Sequence, residues 1–321
     1  MDTITQFADA EDGREAFLDD VFRGLTRPQK KIPCKYFYDD RGSKLFSAIC
    51  GLDEYYPTRT EMALLDAHGA EMADLIGSGV CLIEYGCGSL VKTRQLLDAL
   101  DAPAVFVPID ISEDHLIRSA ADLAADYPDL LVLPVVADFT RPIALPERAL
   151  RRGGKRVGFF PGSTIGNFDH AQAAAFLGTI AETIGAGGGL LIGVDLKKDE
   201  DILVKAYDDA EGVTAAFNLN IIERINRELD GDFDASAFRH QALYNGDEGR
   251  IEMHLVSRRD QTVRVQGRPF RLAEGETIHT ENSYKYEVQE FSDLAATQGF
   301  DTVETWVDDD ELFSLHYLTR A

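Results

Sequence analysis

Residues 81–94 read CLIEYGCGSLVKTR. The apolar run Cys81-Leu82-Ile83 has the character of a buried strand and meets an acid, Glu84. Gly86 and Gly88 follow, one residue apart. Lys92, Thr93 and Arg94 then lead into Leu96 and Leu97 on a helical segment. A strand that turns through two glycines straight into a helix lets a ligand approach the backbone closely. The stretch therefore predicts a βα unit with something seated against its turn.

Working outward, the pattern predicts strands over 80–85, 105–109, 131–137, 156–160 and 189–194. Helices are predicted over 90–100, 112–127 and 171–184. Ser112 is placed as an N-cap with acids in the first turn behind it, and Pro134 calls for an edge or a bulge. This alternation argues for a parallel sheet with helices on both faces. Upstream, residues 12–30 read as a helix with Phe17, Val21 and Leu25 on one face, ended by Pro28. An aromatic-rich stretch follows, KYFYDDRGSKLFSAICGLDEYYPTRTE, residues 35–61. Its Thr58 and Glu61 form a capping-box pattern that starts a helix near Arg59, running to about Ile76 with Met62, Leu65 and Met72 inward. After Asp199 the alternation stops. A helix over 213–229 and strand-like runs at 251–256 and 262–265 suggest a second α+β unit. In the first run Ile251, Met253 and Leu255 face one way, and Glu252 and His254 the other. A helix over 286–298 and the pair DTVETWV and LFSLHYL, joined by DDDE, predict a closing antiparallel hairpin.

The chain of 321 residues carries a net charge of −24, with 45% apolar and 27% charged residues. That balance suits a globular protein and lacks the basic footprint of a nucleic-acid binder. It also disfavours anionic membranes. The one basic cluster, RRGGKR at 151–156, reads as a solvated loop before a strand. Cys34, Cys50, Cys81 and Cys87 form no CxxC pair and read as reduced thiols of a cytoplasmic protein, with Cys87 a small turn residue. The N-terminus is too polar and acidic for a signal peptide, and no apolar run approaches a membrane span. The seven histidines show no ligand spacing, so no metal is expected.

The strand ends carry the ligand information. They hold Glu84-Tyr85-Gly86-Cys87-Gly88, Asp110, Asp138-Phe139 and Pro161-Gly162-Ser163-Thr164. A dinucleotide fingerprint wants a third glycine where Val91 stands, and the acid before the glycines opposes a diphosphate. S-adenosyl-L-methionine fits better, having a ribose, an adenine and a cationic methionine end but no phosphate. Asp110 suits two ribose hydroxyls, Asp138 the adenine amino group, and Phe139 the ring. The fold class expected is α/β, a class I S-adenosylmethionine-dependent methyltransferase with a smaller α+β substrate domain. Its boundaries are 1–59 (substrate domain), 60–198 (methyltransferase), 199–285 (substrate-domain insertion) and 286–321 (methyltransferase).

The motifs YFYD, EYYPTRTE, GSTIGN, AYDDAEGVTAAFN and RIEM resemble the histidine Nα-methyltransferases of ergothioneine biosynthesis, from about Lys35 to the end of the chain. The resemblance implies transfer of three methyl groups to the α-amine of L-histidine, giving hercynine. It implies that Gly86, Gly88, Lys92, Asp110, Asp138 and Phe139 hold the cofactor. It implies Gly162, Asn167 and Tyr207 for the substrate, the last two at its α-carboxylate. Tyr38 and Tyr55 would wall the amine, and Met253, Glu281 and Ser283 would surround the imidazole. Departures from the family are the bulky Tyr85, Cys87 and Leu90 in the glycine turn, and Pro161.

The chemistry agrees with that assignment. The third methylation leaves a fixed cation, which the π-faces of Tyr38, Tyr55 and Tyr56 suit. The i, i+2 spacing of Glu281 and Ser283 puts both on one side of an extended segment, where they can read two ring nitrogens. Tyr38 is the side chain nearest to a role in organising amine deprotonation. A monomer is expected. Three alternatives stay open: the same fold acting on a tryptophan derivative or tyrosine, a nicotinamide-dependent oxidoreductase, and a non-catalytic cofactor-binding module.

Overall fold

The computed structural model describes residues 5–6, 10–88 and 90–321. The described residues divide into two compact units, one holding residues 5–6, 57–197 and 285–321, the other residues 10–56 and 198–284.

The first unit is built on a nine-stranded sheet. Across its main path run Val135–Val136, Val105–Asp110, Cys81–Tyr85, Arg156–Phe160, Gly189–Asp195, Phe313–Arg320 and Phe300–Val307. The first five are mutually parallel, and Phe313–Arg320 enters antiparallel between Gly189–Asp195 and Phe300–Val307. Taken in chain order these seven strands lie 3-2-1-4-5-7-6, so the order reverses between Cys81–Tyr85 and Arg156–Phe160. Ligands of open α/β sheets bind at such a switch point, beyond the carboxyl ends of the strands. Cys81–Tyr85 is buried along its whole length, as a central strand covered on both faces must be.

Several expectations need correction. Pro134 divides the predicted 131–137 strand into Leu131–Val132 and Val135–Val136, because it offers no N–H to the ladder. The helix predicted from Arg59 begins at Tyr56, so Glu61 lies inside it and forms no capping box. Ser112 precedes the helix Glu113–Asp126 but makes no side-chain cap; its backbone N–H donates to Asp110 instead. Arg151 and Arg152 end a short helix, Glu147–Arg152, and are not loop residues. Thr5–Gln6 pairs parallel with Val135–Val136, which places it in the first unit and not in the substrate domain expected for 1–59.

The second unit has a four-stranded sheet ordered Lys30–Lys31, Thr277–Tyr284, Arg250–Ser257, Phe238–Asn245, and a separate hairpin, Gln261–Val265 with Arg268–Leu272. Its helices include Ala10–Leu25, Asp40–Ile49, Glu200–Tyr207 and Val213–Glu228. Phe17, Val21 and Leu25 are buried, as their helical spacing predicted. All four cysteines are free thiols. No helix among the described residues is long and apolar enough to cross a membrane.

Candidate functional site

At the switch point the glycine turn is shaped by its neighbours. Gly86 has φ 75° and Gly88 φ 46°, left-handed values that favour glycine. A Cβ on Gly86 would come 3.1 Å from the Phe139 ring. Phe139 in turn packs on Phe160 and Phe176, with centroids 5.8 and 5.6 Å away. The Gly86 N–H donates to the Ile109 carbonyl, which ties the turn to the next strand. Asp110, at the end of that strand, accepts from the backbone N–H groups of Ser112 and Gly88. Burial raises its pKa against the pull of these bonds. Asp138 accepts from the N–H and hydroxyl of Thr140 at 3.0 and 2.6 Å.

Glu84 is buried and accepts from Thr93 Oγ1 at 2.7 Å. Burial pushes its carboxyl up to about 8, although the Thr93 bond opposes the shift. Cys87 is buried too, and burial holds its thiol well above the usual range, in keeping with a turn residue and not a nucleophile.

Lys92 and Gly162 meet on a side chain that sequence reading treated as a cap. Glu61 accepts from the Gly162 N–H at 2.9 and 2.8 Å and from Lys92 Nζ. The Gly162 N–H is thus already engaged within the protein. Gly162 (φ 80°) and Ser163 (φ 54°) are both left-handed, and Ser163 Oγ accepts from the Asp195 N–H at 2.9 Å. Asn167 ends the short 3-10 turn Thr164–Asn167 that follows. The sequence signals for Glu61 were the capping-box spacing from Thr58 and its place in EYYPTRTE.

In the second unit, six of the predicted substrate residues converge. Met253 and Glu281 face each other across paired strands. Tyr207 and Ser283 share a hydrogen bond of 2.8 Å. Tyr55, Tyr207, Met253 and Glu281 line one cavity of about 20 Å³ together with Phe46 and Phe217. That volume suits about one water, so a ring entering it displaces side chains. Tyr38 packs edge-on to Phe46 and Phe217, at 5.6 and 5.8 Å between centroids, and Tyr55 packs likewise on Phe46 and Tyr207. Phe46 and Phe217 were not singled out from sequence, although Phe217 lies in the motif AYDDAEGVTAAFN and Phe46 in the aromatic-rich stretch 35–61. Gly162 and Asn167 belong to the first unit.

Local sequence explains how Tyr38 is held. Asp39 caps the helix Asp40–Ile49 by accepting from the Gly42 N–H, and it also accepts from Asn220 and Arg227 of the helix Val213–Glu228. Burial, then the charge of Glu281, raises the Tyr38 hydroxyl well above its usual pKa. Tyr38 therefore stays a neutral phenol at neutral pH; it can orient an amine or a water but supplies no phenolate base. Tyr56, expected as a π-face for the substrate, instead serves Lys198. That ammonium lies 4.5 Å from the ring centroid and donates to the hydroxyl at 2.7 Å.

Histidines that are far apart in sequence are gathered by the sheet. Glu252, His254 and His279 each offer a donor atom within 4.8 Å of the others. His254 Nε2 bonds to Glu252 at 2.9 Å, whereas His254 Nδ1 is buried without a hydrogen-bond partner among the described residues. Glu252 accepts from Arg250, Asn245 and His254, and these bonds hold its carboxyl down at about 2 although burial opposes them. The two imidazoles stack at 4.7 Å, and His279 Nε2 donates to the Glu281 carbonyl. With the guanidinium of Arg250 on the carboxylate, the cluster works as a hydrogen-bonded brace behind Glu281.

The geometry can be set beside known proteins. The family model for histidine-specific, S-adenosylmethionine-dependent methyltransferases matches residues 17–320. The chain is 41% identical over 323 residues to the histidine N-alpha-methyltransferase of Mycolicibacterium smegmatis, covering 99% of both proteins. It is 40% identical over 308 residues to that of Mycobacterium tuberculosis, covering 94% of both. It is 31% identical over 313 residues to ergothioneine biosynthesis protein 1 of Neurospora crassa, spanning 94% of this chain and 34% of that protein. With a family match across nearly its whole length, the chain belongs to the histidine-specific, S-adenosylmethionine-dependent methyltransferases.

Proposed function

We propose that the protein methylates the α-nitrogen of L-histidine three times, giving hercynine, the first step of ergothioneine biosynthesis. The observation that carries the reading is the pocket of the second unit, where Glu281 faces Met253 and Ser283 is bonded to Tyr207 within one aromatic-walled cluster.

The residues at the switch point suit the cofactor. The left-handed Gly88 leaves open space against the backbone, Gly86 lets the Phe139 ring pack close on the turn, Asp110 offers a carboxylate for ribose hydroxyls, and Phe139 gives an adenine a flat apolar neighbour. S-adenosylmethionine, when bound, supplies an activated methyl group on a sulfonium. The protein's task is alignment, which can lower such a barrier by roughly 7–11 kcal/mol. Glu281 accepts from an imidazole N–H, and Ser283 reads the other ring nitrogen. Asn167 and Tyr207 hold the α-carboxylate. Tyr38 and Tyr55 wall the amine, each contributing on the order of 0.5–2 kcal/mol to a cation there. Tyr38, kept neutral, orients the amine while its proton passes to solvent between rounds.

The same reading makes the enzyme a cytoplasmic monomer that acts without a metal, nucleic acid or membrane. Light scattering at the 35.5 kDa of one chain checks the monomer. The activity is tested by initial rates of S-adenosylhomocysteine formation with histidine, tryptophan and tyrosine in parallel. Turnover on histidine alone is expected; turnover on another amino acid in its place would overturn the pocket assignment.

A further inference from the structure

Glu61 is fully buried, and its partners lie in the turns after the two strands where the strand order of the sheet reverses. It accepts from Lys92, in the first turn of the helix that follows Cys81–Tyr85. It also accepts from the Gly162 N–H, in the turn that follows Arg156–Phe160. These two strands flank the point where strand order reverses. The neighbouring strand is bare opposite it: a Cβ on Gly193 would come 2.2 Å from Glu61 Oε1. The two bridged turns also approach each other directly, since a Cβ on Gly162 would stand 3.5 Å from Lys92 Nζ. Ser163, next along, is left-handed and fastened to the Asp195 backbone, so the turn leading to Asn167 has little freedom apart from its tie to Glu61.

A buried carboxylate persists only when its partners offset its lost hydration. Here those partners are the ammonium assigned to the cofactor and the backbone of the turn assigned to the substrate. We infer that Glu61 is a positioning residue that makes the cofactor seat and the substrate turn one unit, so that cofactor binding tightens histidine binding. The mechanism is local. A ligand that fixes Lys92 fixes Glu61, which fixes the Gly162 N–H and the path of the chain to Asn167. The inference rests on the proposed roles of Lys92 and Asn167, and it adds a coupling that those roles do not require. Coupling of this kind is reciprocal: histidine must tighten cofactor binding by the same factor.

The test is calorimetric titration of the full-length protein with histidine, with and without saturating S-adenosylhomocysteine, and the reverse titration. In the wild type each ligand is expected to tighten the other at least fivefold. In Glu61→Gln, which keeps the shape but loses the charge that holds Lys92, the factor should fall below twofold. Glu61→Asp keeps the charge but is too short to reach both partners, and it should lie between. Melting temperatures of the ligand-free variants report folding separately, so a variant that fails to fold is recognised and the Asp variant decides. An equal coupling factor in wild type and variants, or none in the wild type, overturns the inference while methyl transfer to histidine continues. A wild type that turns over but does not accept histidine fails the proposed function instead.

Discussion

Glu281 gives the sharpest prediction. It is 9% exposed, stands opposite Met253 in the paired strands, and lines the cavity with Tyr55 and Tyr207. Its backbone carbonyl is braced by His279, so a side-chain change there leaves the strand in place. Glu281→Gln keeps the shape and an acceptor oxygen but removes the charge. A hydrogen bond to a charged group contributes about 1.5–3 kcal/mol and a neutral one about 0.5–1.5. The difference, roughly 1–2 kcal/mol, is about a 5- to 30-fold rise in the KM for histidine. Glu281→Ala also strands a buried imidazole N–H, and the rise should reach about 100-fold or more. Initial rates against histidine at saturating S-adenosylmethionine provide the assay. The cofactor Kd and the melting temperature should change little, because Glu281 belongs to the second unit and the residues assigned to the cofactor belong to the first. A second readout follows from electrostatics: the Glu281 charge is, after burial, the main cause of the raised Tyr38 pKa. Ultraviolet titration of the Gln variant should place Tyr38 lower than in the wild type. A histidine KM within twofold of wild type for Glu281→Ala would refute the assignment of this side chain to the imidazole.

Three further outcomes are expected. Gly86→Ala places a methyl group 3.1 Å from the Phe139 ring at φ 75°, so the cofactor Kd should rise at least tenfold at a stability cost of about 1–2 kcal/mol; an unchanged Kd counts against the glycine turn as the cofactor seat. Lys285 is fully buried against Asp195 at 2.5 Å, so Lys285→Met takes the ammonium away from a buried carboxylate and should cost about 3–5 kcal/mol, a fall in Tm of roughly 10 °C that Lys285→Met with Asp195→Leu largely reverses; a single variant melting like wild type contradicts this. The Glu84 carboxyl, raised by burial to about 8 from 4.5, contributes stability that is fully present below its unfolded pKa and lost as pH rises through about 8. At most this is about 5 kcal/mol, and Glu84→Gln should show a flatter decline in Tm between pH 5.5 and 8.5, whereas an identical slope would dismiss Glu84 as its source.

The parallel half of the fold was legible because its strands are buried on both faces and read as continuous apolar runs. Cys81–Tyr85, Arg156–Phe160 and Gly189–Asp195 are of this kind. The second unit was harder. Thr277–Tyr284 is wholly buried from Ile278 on, yet it reads THTENSY from Thr277 with only Ile278 inserted, because its inward positions carry polar groups that meet one another and the pocket. Hydrophobic alternation fails where a strand buries polar groups. Phe238–Asn245 is an edge strand with half-exposed faces, and its alternation is correspondingly weak. Glu61 illustrates a different limit. Spacing suggested a capping role that the structure does not bear out, and its actual partners, Lys92 and Gly162, are 31 and 101 residues away. The brace of Glu252, His254 and His279 was hidden for the same reason, since only strand pairing brings His254 against His279.

The central claim is that this pocket presents the α-nitrogen of histidine for three successive methylations. Tandem mass spectrometry of histidine incubated with the enzyme and S-adenosylmethionine tests it most directly. The account predicts species with one, two and three added methyl groups, and a final product that loses trimethylamine on fragmentation while its imidazole carries none. Methyl groups on the ring nitrogens, or on another amino acid with histidine untouched, would contradict it.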